Sequence, residues 1–114
     1  MITRFYTAPM RLTQEEQRGI AEAAHSVLPA GSRVLLFGSR TDDARRGGDV
    51  DLLVETASAL AADESVRLCR RLTAQLYRRL GERRIDMLVS VRGAADERAV
   101  VRAARRDGIE LART

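Results

Sequence analysis

Leu36-Phe37-Gly38-Ser39-Arg40 is followed, with nine residues between the serine and the first acid, by Asp49-Val50-Asp51-Leu52-Leu53-Val54. An apolar segment with two acids at its start constrains the fold more than any other feature of this chain. Side chains at i and i+2 of a strand leave the same face, about 6.6 Å apart at a rise of roughly 3.3 Å per residue. Asp49 and Asp51 therefore point together, and Val50, Leu52 and Val54 take the other face and supply core. Two unit charges at that separation repel by about 2.5 kcal/mol at an effective dielectric near 20. Stability alone does not favour such a strand.

A later segment repeats the arrangement in small. Asp86, flanked by Ile85 and Met87, interrupts an apolar run over Ile85 to Val91. If the two strands are neighbours in one sheet, three carboxylates converge. A divalent cation reverses the sign of that repulsion, and Mg²⁺ accepts a few carboxylates together with substrate phosphates. The glycine-serine turn fits the same picture. Gly38 allows close approach of backbone to a ligand, and Ser39, at the start of a short helix that 39–46 could form, offers a hydroxyl and N–H groups to phosphate oxygens. Arg40 is the nearest side chain able to neutralise more phosphate charge. Taken singly, each feature has an ordinary explanation: a turn, strand-end polarity, or an Asp86 salt-bridged to Arg83 or Arg84. Jointly and in this order they point to a phosphate-and-metal site.

The remaining pattern supplies a scaffold. Thr13 and Glu16 form a capping-box pair after Leu12, and Ile20, Ala24, Val27 and Leu28 recur at helical spacing until Pro29-Ala30-Gly31-Ser32. Val34 to Phe37 reads as a short buried strand and Val50 to Val54 as a second. Val66, Cys69, Leu72, Leu76 and Leu80 describe an amphipathic helix over 59–80 closed by Gly81. Ile85 to Val91 is a third strand. Glu97 to Arg106 is a last helix carrying Val100, Val101 and Ala104, and Ile109 and Leu111 close over the core. The order helix, strand, strand, helix, strand, helix predicts an α+β fold, a small mixed β-sheet with helices packed on it. At 114 residues, without repeats or linker-like stretches, the chain reads as a single domain over 1–114.

Composition narrows the partners. The net charge is +4, and all 20 basic residues are arginine, whose planar fork suits phosphate or carboxylate. These charges are spread along the chain with four aromatics in all, which disfavours a dedicated nucleic-acid binder. No apolar run approaches the roughly 20 residues of a membrane span. Met1 to Pro9 lacks the apolar core of a secretory signal, and the single Cys69 forms no intramolecular disulfide, so a cytoplasmic location is expected. Cys69 reads as core packing and His25 as a helix-surface residue. The apolar sides of the long and last helices exceed what one small core covers, so a homodimer or hetero-oligomer is expected.

Phe37-Gly38-Ser39, the nine-residue spacer, Asp49-Val50-Asp51-Leu52 and Ile85-Asp86-Met87 together resemble the signature of the DNA polymerase β-like nucleotidyltransferases. The element order and Gly108-Ile109-Glu110-Leu111 resemble the minimal nucleotidyltransferase (MNT) branch. The resemblance implies the polymerase β-like nucleotidyltransferase fold. It also implies that Asp49, Asp51 and Asp86 are the catalytic and metal-binding acids, with Asp86 helping to deprotonate the attacking hydroxyl. Gly38 and Ser39, with Arg40 beside them, would hold the phosphates of a nucleoside triphosphate. The cofactors implied are Mg²⁺ and ATP as nucleotidyl donor.

After Asp86 only 28 residues remain, and they are used by one helix and a closing segment, so the acceptor is expected on another subunit or to be a protein itself. Proteins of the MNT branch are commonly paired with a HEPN-domain ribonuclease toxin. They inactivate it by transferring AMP to a tyrosine, as a type VII-like antitoxin does, and the resemblance implies that role here. Two other readings stay open: a binding antitoxin without catalysis, and a nucleotidyltransferase subunit that modifies a small molecule or a nucleic-acid end.

Overall fold

The computed structural model describes residues 12–38 and 50–114. Helix α1 (Gln14–Val27) begins where its capping pair predicts. The Glu16 N–H donates to the Thr13 hydroxyl at 3.0 Å, and the Thr13 N–H donates to the Glu16 carboxylate at 2.9 Å. Leu12 is buried just outside the cap, where the Gln17 amide donates to its carbonyl at 3.3 Å. Strands β1 (Arg33–Phe37) and β2 (Val50–Thr56) follow, then the long helix α2 (Ala62–Leu80). Ala61 has no side-chain oxygen to cap α2, so only the reciprocal half of a capping box is made, from the Ala61 N–H to the Glu64 carboxylate at 3.0 Å. Strand β3 (Ile85–Val91), helix α3 (Ala99–Asp107) and strand β4 (Ile109–Arg113) complete the order.

The fold is α+β, with three helices and one mixed sheet of order β3-β2-β1-β4 among the described residues. β1 runs antiparallel to β2 and to β4, and β2 runs parallel to β3, with α2 as the crossover that a parallel pair requires. Helices α1 and α2 pack on one face over Val34, Leu36, Val50, Leu52 and Val54, meeting them with Ile20, Ala23, Ala24, Leu72 and Leu76. Helix α3 covers part of the other face, where Val101 and Ala104 pack on Leu35, Phe37 and Leu53. Central strand β2 is thus buried on both sides, and of its residues Asp51, at the N-terminal end, keeps some exposure.

Three expectations are corrected. The closing segment at Ile109 and Leu111 is a full strand, because the second edge of β1 needs a partner for its backbone groups. Val66 and Cys69 do not belong to the buried stripe of α2: Val66 is 50% exposed, and Cys69, half-buried, lines a groove of about 340 Å³ with Arg70, Thr73, Ala74 and Tyr77. Burial nevertheless raises the Cys69 thiol above its ordinary pKa. Val100 on α3 is 44% exposed, and only Val101 and Ala104 of that helix reach the core. Among the described residues, no helix is long and apolar enough to cross a membrane.

Candidate active site

The register of the sheet decides which acids meet. Phe37 pairs with Asp51 across the antiparallel β1–β2 ladder, and Asp51 pairs with Asp86 across the parallel β2–β3 ladder. Residues directly opposite in neighbouring strands share a face, so Phe37, Asp51 and Asp86 form one row on the α3 side. Their Cα atoms are spaced by about 4.8 Å from strand to strand. Val50 and Leu52 alternate to the opposite face and are fully buried, which anchors this end of β2.

Asp51 is partly buried, whereas the Asp86 side chain is 52% exposed and in reach of solvent from the β3 edge. It pairs with Arg84, whose Nε lies 3.4 Å from Asp86 Oδ2. Arg83, the neighbouring residue, turns to the other side and pairs with Glu16 of α1 at 2.7 Å.

Gly38 stands immediately after β1 on the far side of Asp51 from Asp86. Its φ is +97°, a backbone conformation open to glycine at no steric cost. A Cβ built at Gly38 would overlap Asp51 Oδ2 and lie 2.9 Å from its Cγ. The turn therefore packs its bare backbone against the carboxylate, a fit that any side chain would destroy. Asp49, Ser39 and Arg40, also expected in the site, lie outside the described residues, as does the short helix over 39–46.

Two hard-oxygen donors on one rung, one of them solvent-facing, beside the bare backbone of Gly38, suit a Mg²⁺ ion that shares its coordination shell with water and phosphate. Asp51 and Asp86 would be its ligands among the described residues, within which no cluster of three metal-ligating side chains is found.

Further along the same face lies a polar cluster that the sequence did not announce. Glu55, four residues after Asp51, is fully buried, with Arg33 Nε donating to one carboxylate oxygen at 2.7 Å and Arg105 Nε to the other at 2.6 Å. Arg105 also donates to the Ser90 hydroxyl at 3.1 Å, to the Val91 carbonyl at 2.9 Å and to the Ala94 carbonyl at 2.7 Å. Alternation from Asp51 places Glu55 on the acid face, but nothing local identifies its two arginines. Next to this cluster, the Arg98 guanidinium and then the Ser90 hydroxyl hold the Asp96 carboxyl well below the usual carboxylate range. These ties pin α3 and the segment before it to the Glu55 end of the sheet.

No protein-family model matches this chain, and neither does any curated protein.

Proposed function

We propose that this chain is a Mg²⁺-dependent nucleotidyltransferase of the minimal type, which transfers AMP from ATP to a tyrosine hydroxyl of a HEPN-domain toxin and so acts as its antitoxin in the cytoplasm. The observation that carries the reading is the Asp51–Asp86 rung beside Gly38. A folding chain gains nothing from placing two carboxylates side by side, whereas phosphoryl-transfer chemistry needs them.

In this reading the triphosphate takes the β1 side and the acceptor hydroxyl the β3 side, which is supported by Gly38, Asp51 and Asp86 coming from β1, β2 and β3 in that sequence across the sheet. Gly38, bare of a side chain, lets the backbone after β1 lie directly against the Asp51 carboxylate, so that phosphates bound there meet main chain. Asp51, with Asp49 two residues before it, would hold the divalent cation that offsets the charge of the donor's phosphates. Asp86, open to solvent, accepts the proton of the acceptor hydroxyl. The acceptor oxygen then forms its bond to the α-phosphorus as the bond to the β-phosphate oxygen breaks, and pyrophosphate leaves. A bound divalent cation supplies the positive charge that stabilises the attacking and leaving oxygens.

The test is label transfer. ATP labelled on its α-phosphate, Mg²⁺, this protein and its co-encoded HEPN partner should give a labelled partner, with the label mapping to tyrosine. An unlabelled partner under conditions where Mg–ATP is bound removes the proposal.

A further inference from the structure

Arg84 continues the β3 ladder by one residue, since its carbonyl accepts from the Val50 N–H at 2.9 Å. It therefore keeps the extended alternation and leaves the same face as Asp86, two residues on. Two neighbouring arginines among the described residues are tied to α1 on the opposite face: Arg83 to Glu16 at 2.7 Å and Arg79 to Glu22 at 2.8 Å. Arg84 instead lies against a residue of the proposed site, with its side chain 71% exposed and its Nε 3.4 Å from Asp86 Oδ2. Being on the edge strand, it sits on the far side of Asp51 from Gly38.

We propose that Arg84 is the counter-ion of the acid pair before catalysis: its guanidinium holds the place on Asp86 that a divalent cation takes, and the arriving cation displaces it towards the acceptor side of the site. This rests on the nucleotidyltransferase reading above. An exposed ion pair is weak, so a doubly charged ion bound by Asp86 and Asp51 together replaces a singly charged group held by one of them. The displaced guanidinium remains on β3 and cannot reach the phosphates held at Gly38 without crossing the metal. It is a positioning residue that holds the Asp86 carboxylate in place through their ion pair, and it adds positive charge on the acceptor side of the site.

The experiment is a titration with Mn²⁺ alone, followed by calorimetry, on the wild-type chain, Arg84→Gln and Arg67→Gln. Arg67 removes the same formal charge from α2, where it pairs with Asp63 at 3.5 Å. Removing the competing charge should tighten Mn²⁺ binding by Arg84→Gln about three- to tenfold, less at high salt. Arg67→Gln should change it by less than about twofold, because an exposed charge at that distance is screened. ATP affinity at saturating Mg²⁺ should stay within about twofold in Arg84→Gln, since the phosphates sit on the other side. Unchanged or weaker Mn²⁺ binding in Arg84→Gln overturns the proposal, and so does weaker ATP binding, which would make Arg84 a phosphate ligand. A wild-type chain that binds no Mn²⁺ removes the metal site itself, and Arg84's role with it.

Discussion

Asp51 and Asp86 occupy one rung of the parallel β2–β3 ladder, so two carboxylates distant in sequence are brought to neighbouring backbone positions by the sheet itself. Everything proposed for the chemistry uses that rung. Replacing Asp86 by Asn should leave the fold intact, because the side chain is half in solvent and carries no core contact. AMP transfer should fall by about 10²–10⁴-fold, the usual loss of a positioned proton acceptor. Thermal denaturation and label incorporation, run on the same preparation, check both halves of this outcome.

Gly38 should be far less replaceable than Gly81, although both have positive φ. At Gly81 a Cβ meets nothing within 4 Å, so Gly81→Ala should lose only the strain of its positive-φ, extended backbone, about 1 kcal/mol or a little more. At Gly38 the same change also drives a methyl into the Asp51 carboxylate. Gly38→Ala should therefore lose about 2–3 kcal/mol, a backbone and a packing term together. Urea unfolding of the two variants measures the difference, and equal losses would show that the turn does not press on Asp51.

The buried Glu55 should be the most sensitive charged position of the fold. Removing one partner of a buried ionic group leaves the rest uncompensated, at a loss of about 3–5 kcal/mol when fully enclosed. Arg33 and Arg105 retain some solvent, so Glu55→Ala should lie near the lower end, about 3 kcal/mol. Breaking the exposed Arg67–Asp63 pair should change stability by less than about 1 kcal/mol. Equilibrium unfolding of Glu55→Ala and Asp63→Ala provides the comparison.

Much of this architecture follows from local pattern, and the parts that do not are those set at a distance. Thr13 and Glu16 lie within one helical turn, so the start of α1 could be read directly. The alternation Asp51, Leu52, Leu53, Val54 likewise divides β2 correctly between its faces, whereas setting Asp86 opposite Asp51 needs both the adjacency of β3 to β2 and their register, which no local pattern supplies. The periodicity of α2 misled because the helix carries two apolar flanks. Leu68, Leu72, Leu76 and Leu80 face the core, whereas Val66, Cys69, Thr73 and Tyr77 form an adjacent stripe that period alone does not distinguish. Strand β4 was missed because its identity as a strand depends on the open edge of β1, far back in the chain. The arginines that meet Glu55 come from β1 and α3, and no spacing rule links them.

Acid should loosen the hold of α3 through Asp96. Arg98 and Ser90 depress its folded-state pKa below the unfolded value, so the ionised carboxylate stabilises the fold above the ordinary range near pH 4. That contribution is lost as pH falls through the depressed value. Asp96→Asn should thus be less stable than wild type at pH 7, and the gap between their urea midpoints should narrow as pH drops below about 4. A gap that stays constant with pH would mean that the Asp96 contacts do not depend on its charge.

The most direct test of the central claim is a crystal structure of the chain grown with Mn²⁺ and a non-hydrolysable ATP analogue, with the metal located by its anomalous signal. The account predicts a peak within coordination distance, about 2.0–2.3 Å, of carboxylate oxygens from both Asp51 and Asp86, with the triphosphate on the Gly38 side. A metal and nucleotide bound elsewhere, with Asp51 and Asp86 not ligating, would contradict it.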